Sequence, residues 1–395
     1  MIEPALAGAA PPAPSSGETW ALYAGTVAAY AAMYITQPLL PDLSREFGAP
    51  PARAALTVSA VVLAIAVASF AAGPLSDVLG RRRVMASATG LLAVVTLLCA
   101  FAPTLGALTA LRAAQGLFVP GMTAVSVAYA GDRYPPAALR RAVGGLIGAS
   151  VVGGLVGRVG AGWIAAHLGW RAAFVAFAAL TALAALAMAR ALAPVRPAAR
   201  APLGAALRGM LGHLRDPRLA GAYVVGASLF FGWIGIFTYL PYRLSAPPYG
   251  LGTGLVSSVY LVYAAGVVAS PLAARLSGRI AQTRLIGLGL AVEALGMAMA
   301  LARPLPLVVL GLVVLVLGTF TAQALAPAFV NETARGAKGG ASALYLATYY
   351  VGGTLGSVLP GLAWQAGGWS AVVASCAAAV AVGLAANALL CARAA

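Results

Sequence analysis

The stretch GGLVGRVGAGWIAAHLGW, residues 153–170, returns about 200 residues later as GGTLGSVLPGLAWQAGGW, residues 352–369. Superposed, Gly153, Gly154, Gly157, Val159, Gly162, Gly169 and Trp170 fall on Gly352, Gly353, Gly356, Val358, Gly361, Gly368 and Trp369. Chance rarely aligns so many glycines, so the chain reads as two copies of one unit. The pairing also isolates a difference, because Arg158 of the first copy stands opposite Ser357 of the second. A charge kept in one copy belongs to the protein's task more than to the shared scaffold.

The composition around this repeat is that of a membrane protein. Hydrophobic residues make up 62% and charged residues 9% of the chain, against roughly 50% and 25% in a soluble domain. A hydrocarbon core about 30 Å thick needs about 20 apolar residues per helix. Twelve such runs are present, near 20–42, 54–76, 84–102, 107–130, 142–166, 171–192, 219–242, 252–274, 284–302, 306–329, 342–364 and 370–391. The last six repeat the spacing of the first six. The expected fold is therefore all-α, with twelve transmembrane helices in two pseudo-symmetric six-helix bundles. Residues 18–192 and 219–391 form the bundles, 1–17 a disordered cytoplasmic tail and 193–218 a cytoplasmic central loop.

Most Lys and Arg residues fall in alternate connections, including Arg81, Arg82, Arg83, Arg140, Arg141, Arg275, Arg279 and Arg284. Positive charge is retained on the cytoplasmic side, which places both termini there, in a bacterial inner membrane. The net charge of +16 then reflects topology and anionic lipid headgroups, and no soluble basic domain suggests nucleic acid. Residues 1–17 lack the basic n-region of a signal peptide, and the run that follows is long enough to stay as a span. Between the halves, Leu203, Leu207, Met210 and Leu214 share a face, which suits a short surface helix or, equally, a flexible linker. Cys99, Cys376 and Cys391 lie in or beside spans with no framework spacing, so neither a disulfide nor a metal site is implied. Nothing calls for a cofactor or for an oligomer, and the chain reads as a monomer.

Repeated halves joined by a basic loop outline a secondary transporter with its site between them. The run GPLSDVLGRRRVM, residues 73–85, resembles the signature loop of the major facilitator superfamily, matching it at Gly73, Leu75, Asp77, Gly80 and Arg81 and departing from it at Val78. The resemblance implies a gating loop. Gly73 would allow close helix approach, Asp77 would cap the N-terminus of the eleventh helix, and Arg81 would pair with Asp132. A plain positive-inside loop would need the arginines but not Gly73, Asp77 and Gly80. In the second half, SPLAARLSGRI, residues 270–280, puts Ala274 opposite Asp77, so the gate belongs to the first half.

In the fourth span, LRAAQGLFVPG, residues 111–121, is similar to the family's second motif at Arg112, Gln115 and Gly116. The resemblance implicates Arg112 in proton handling; an arginine inside a bilayer costs at least about 2.5 kcal/mol without a partner or a wet cavity, and the alternative is snorkelling outward. The fifth span carries small residues at Gly145, Ala149, Gly153, Gly157 and Ala161, similar to the glycine-rich motif of the family's antiporters. Gly157-Arg158 replaces the usual Gly-Pro. Arg at this position, with YITQPLLPDLSREFG at 34–48, looks like the drug:proton antiporter branch of the acriflavine-sensitivity type. Arg112 and Arg158 both fall about 24–27 Å from the cytoplasmic side, and are expected to face the cavity together.

Glu293, roughly 13 Å into the ninth span, is the acid placed deepest. Burial without a partner favours the neutral form of a carboxyl, as a proton carrier needs, although the ninth helix of this family is peripheral. Asp42 is a second coupling candidate, with helix ending as its default. Tyr30, Tyr34 and Gln37 are spaced to share one helix face, as are Phe230, Trp233 and Phe237. With Gln115, Tyr260, Tyr263, Tyr345 and Tyr349, these line the expected substrate cavity, which suits flat amphipathic solutes. Trp20, Trp163, Trp170 and Trp369 read as an interfacial belt.

The resulting expectation is proton-coupled efflux of small amphipathic organic compounds by alternating access. The alternative is uptake or exchange of small organic anions bound by Arg112 and Arg158. With two histidines in all, no GxSxG and no GxxxxGK[ST], neither hydrolysis nor ATP-driven pumping fits, and the chain is not expected to be an enzyme.

Overall fold

The computed structural model describes residues 15–195, 212–335 and 338–392. Among these the secondary structure is helical, with no strand. The first half comprises α1 (Ser16–Tyr34), α2 (Leu56–Leu79), α3 (Arg81–Cys99), α4 (Leu105–Arg133), α5 (Pro136–Leu168) and α6 (Trp170–Ala191). The second comprises α7 (Pro217–Ser245), α8 (Thr253–Leu276), α9 (Gln282–Met299), α10 (Leu305–Thr333), α11 (338–366) and α12 (369–386). The helix α1 starts at Ser16, capped by the Ser15 hydroxyl on the Glu18 N–H at 3.1 Å, so the expected tail ends earlier. The rest of that tail, the stretch with Leu203, Leu207 and Met210, and Arg393 lie outside the described residues. Leu214 falls in a short turn, His213–Arg215, before α7.

The repeated glycines explain how each half packs. A Cβ on Gly153 would stand 2.5 Å from the Val27 carbonyl oxygen, and one on Gly157 2.4 Å from that of Ala31. Their counterparts Gly352 and Gly356 meet the Ala227 and Phe231 carbonyls at 2.1 and 2.3 Å. Backbone therefore touches backbone, α5 on α1 and α11 on α7, as small residues permit between membrane helices. Gly169 and Gly368 share positive φ, 81° and 60°, and turn the chain sharply into α6 and α12. Trp170 and Trp369, which follow them, are each 6% exposed. Trp369 donates from Nε1 to the Ala300 carbonyl at 2.9 Å, and Trp170 packs on Phe47 and Phe174. These two are packing residues rather than belt members; Trp20 and Trp163 are exposed.

Besides α12, whose end widens into a π-turn at Asn387–Cys391, three spans depart from the continuous helices expected. The first stops at Tyr34, passes through a turn and resumes as the short helix Leu40–Glu46, because Pro38 and Pro41 deprive it of N–H donors. Gln37 therefore sits in the break, not on a helix face with Tyr30 and Tyr34. The helix α5 widens into a π-turn at Val156–Gly160 around Arg158, and α8 tightens into a 3-10 stretch at Val259–Ala264. Such irregular turns frequently mark functional positions, and all three converge on one place.

Candidate substrate site

Between the halves lies a cavity of about 180 Å³ lined by α1, α5, α7, α8, α10 and α11. Its polar centre is Arg158, 1% exposed. The π-turn projects this side chain so that Nε donates to the Gln37 Oε1 at 2.7 Å and Nη1 to the Gly154 carbonyl at 3.0 Å. The guanidinium carbon lies 3.5 Å from the Tyr34 ring centre and 4.5 Å from that of Tyr263, a desolvated cation–π arrangement. Nη2 has no hydrogen-bond partner. Along the same wall the Trp233 Nε1 faces the Tyr263 hydroxyl, and that hydroxyl's own hydrogen and the Gln323 Oε1 are buried without partners. Polar atoms of this kind are costly to leave empty and mark a place for a ligand.

Aromatic rings make the remaining walls. Phe230 stacks on Tyr349 with centres 4.0 Å apart, and Trp233 meets Tyr263 and Phe320 edge-on at 5.3 and 5.6 Å. Of the substrate-binding candidates named from the sequence, Tyr30, Tyr34, Trp233, Tyr263 and Tyr349 line the cavity. Three other candidates stand behind it. Gln37 is fully buried and held by Arg158, Tyr260 donates to the Phe237 carbonyl at 2.8 Å, and Tyr345 packs on Gly226 and stacks on Tyr349. Ser150, Phe320, Gln323, Leu346 and Tyr350 complete the lining and were not singled out in the sequence. Gln323, a polar residue deep in an otherwise apolar span, carried the same signal as Glu293.

Arg112 does not face the cavity with Arg158. It is fully buried, with Nε on the Thr57 carbonyl at 3.1 Å and Nη1 on the Ala32 carbonyl and the Gln115 Oε1, both at 2.7 Å. Nη2 bonds the Met33 carbonyl. Ala32 and Met33 belong to the last turn of α1, whose carbonyls lack helical partners, so the guanidinium stitches α4 to the broken end of α1. Gln115 in turn donates to Thr96 at 2.7 Å and does not line the cavity.

Glu293 is fully buried, and its carboxyl faces the Thr319 hydroxyl, which donates to the Leu315 carbonyl at 3.0 Å. Its Oε1 would stand 3.1 Å from a Cβ on Gly232, so it lies directly behind the residue that precedes Trp233. Asp42 is not near Arg112; it pairs with Arg45 and accepts from the Thr253 hydroxyl at 2.8 Å. That contact crosses between the halves. So do Gln37 to Thr238 at 3.4 Å, Ser44 with Tyr242 at 2.7 Å and Trp163 to Ser258 at 2.9 Å. Hydrogen bonds between described residues of the two halves all lie at this end of the molecule.

At the opposite end, Arg81 donates from Nε to Asp132 at 2.8 Å and lies 2.8 Å from Asp77, bringing the expected gating acids together. A Cβ on Gly73 or Gly80 would meet no atom within 4 Å, so the close approach expected at Gly73 does not occur in this conformation. A cluster not anticipated links the start of α1 to α4: Glu18 accepts from Tyr129 and lies 3.3 Å from Arg133.

The comparisons agree with this architecture. Residues 22–267 match the sequence profile of the Major Facilitator Superfamily. The chain is 33% identical over 357 residues to the inner membrane transport protein YnfM of Escherichia coli (strain K12), covering 90% of this chain and 85% of that protein. It is 28% identical over 357 residues to the MFS-type transporter YybF of Bacillus subtilis (strain 168), covering 90% and 88%. Among solved structures, an inward-facing, occupied bacterial homologue of the human lysosomal transporter Spinster superposes with a TM-score of 0.76 at 16% identity, covering 94% of both chains. A D-xylose-proton symporter gives 0.75 at 17%, covering 95% and 96%. The repeated six-helix halves, the cavity between them and these matches together make the chain a multi-pass membrane transporter belonging to the Major Facilitator Superfamily.

Proposed function

We propose that this transporter resides in a bacterial inner membrane with both termini in the cytoplasm, and uses inward proton movement to export small amphipathic organic compounds by alternating access. The observation that carries this reading is the cavity between the halves, with aromatic walls and one buried arginine. In the proposed orientation, the contacts of Asp42, Ser44 and Trp163 with the second half close the periplasmic end. Ser150 and Leu346, on the side of the cavity away from those contacts, line it. The conformation is then inward-open, and the loop of Gly73, Asp77, Gly80, Arg81 and Asp132 lies at the end that must close during the cycle. This picture favours the drug:proton antiporter branch only through Arg158 and the break after Tyr34.

Proton coupling needs a group that gains and loses a proton between states. Arg112 is committed to backbone carbonyls and Asp42 to the closed end, whereas Glu293 has no cationic partner, faces only the Thr319 hydroxyl and sits directly behind the cavity wall. Glu293 is the coupling residue in this reading. A proton arriving there would be sensed by Trp233 through Gly232, where there is no side chain to intervene.

Inverted membrane vesicles with a pH-sensitive dye test the proposal. Adding a transported solute should release protons in wild type and not in Glu293→Gln, while that variant still exchanges labelled for unlabelled solute. Solute movement unaffected by collapse of the pH gradient would remove proton coupling from the reading. The second reading, uptake or exchange of organic anions, is favoured by Arg158 being the one charged residue that lines the cavity.

A further inference from the structure

We infer that the solute carried in this cavity is a planar aromatic monocarboxylate, bound through Arg158 Nη2, and that a ring hydroxyl on it is received by Gln323. The inference rests on the cavity being the transport site and specifies what enters it. Its first support is charge. Among the residues lining the cavity, Arg158 is cationic and none is acidic; Glu293 lies behind Gly232 and contributes no lining surface. A solute cation would meet an uncompensated guanidinium in a desolvated space, and that juxtaposition is repulsive. A carboxylate there completes an ion pair.

The second support is the hydrogen-bond inventory. Arg158 uses Nε and Nη1 for Gln37 and Gly154 and keeps Nη2 without a partner. On the adjoining wall the Trp233 Nε1–H faces the Tyr263 oxygen, which leaves the Tyr263 O–H as a second donor without an acceptor. An unpaired donor set of this composition calls for an anion with more than one acceptor oxygen, and charge-assisted bonds are the stronger kind. Gln323 presents the opposite need, an unpaired acceptor, Oε1, which a phenolic hydroxyl satisfies. One acid group rather than two follows from one free guanidinium edge.

The third support is shape. The walls offer the stacked pair Phe230 and Tyr349 and the edge-on group of Trp233, Tyr263 and Phe320. Flat rings pack between such surfaces by offset stacking and edge contacts, each worth about 0.5–1.5 kcal/mol beyond burial. A flexible aliphatic chain gains only the burial.

Quenching of Trp233 fluorescence in purified, detergent-solubilised protein tests this directly, with 4-hydroxybenzoate, its neutral isostere 4-hydroxybenzamide and the cation tyramine. The carboxylate should bind saturably, the amide about 10- to 100-fold more weakly, and tyramine without measurable effect. In Arg158→Gln the carboxylate and the amide should bind alike. Should that variant not fold, Gln323→Leu, which removes an Oε1 that has no other partner, should weaken 4-hydroxybenzoate while leaving benzoate unchanged. Amide or tyramine binding as tight as the carboxylate in wild type, or no binding by any of the three, overturns the inference. Failure of the transport reading is separately visible: 4-hydroxybenzoate would then bind in an Arg158-dependent way, yet not cross proteoliposome membranes containing the protein.

Discussion

Arg112 and Arg158 are both buried inside the spans, and the protein uses them in opposite ways. Every guanidinium nitrogen of Arg112 meets a fixed acceptor on α1, α2 or its own helix, whereas Arg158 leaves Nη2 facing the cavity. Arg112→Ala should therefore act on the fold: it strips the Ala32, Met33 and Thr57 carbonyls of their partner at once, at about 1–3 kcal/mol for each buried acceptor left unsatisfied, and should lower the melting temperature of the solubilised protein markedly. Arg112→Lys should recover only part of that loss, since an ammonium cannot reach carbonyls in three directions in one plane. An unchanged melting temperature in both variants would remove the stitching role. In the sequence both arginines stand at one depth, with no means of telling them apart. The distinction lies in which carbonyls a side chain finds, and that depends on the α1 break.

At the level of elements, the aligned glycines were legible because backbone contact between helices tolerates no Cβ. The π-turn of α5 and the 3-10 stretch of α8 were not, since the glycines of VGRVG read as packing positions and VYLVYA carries no breaker residue; tertiary packing around Arg158 imposes them. The proline-rich stretch after Tyr34 did contain the breakers, but its apolar character continued the hydrophobic run across the break. The two glycine sites should respond in parallel. Gly157→Ala and Gly356→Ala each place a methyl 2.4 and 2.3 Å from a carbonyl oxygen of the facing helix, and overpacking of this kind costs about 1–3 kcal/mol. Matching falls in melting temperature are expected, read against Gly148→Ala, which meets nothing within 4 Å and should be neutral or mildly stabilising. A large loss for one glycine and none for the other would contradict the equivalence of the α1–α5 and α7–α11 seams.

For the whole molecule, the repeat led to the twelve-helix fold and the place of the cavity, while the conformational state was beyond the reach of sequence, because a transporter must adopt more than one. The closed end can be tested without knowing the solute. Cysteines replacing Trp163 and Ser258, joined by a short bismaleimide, should arrest transport when a solute is found, and either single cysteine should not. Cys99, Cys376 and Cys391 are all buried, so little background reaction is expected. Full activity of the joined protein would show that this end need not open.

Gln37 occupies a singular position in that arrangement. Its carbonyl is held by Arg158 and its amide reaches Thr238 in the other half, so the side chain that steadies the cavity's arginine also fastens the door. An anion on Nη2, as inferred above, would leave the Nε bond to Gln37 in place but draw on the same positive charge, and so would weaken the latch. A carrier with an empty site would keep that door fastened.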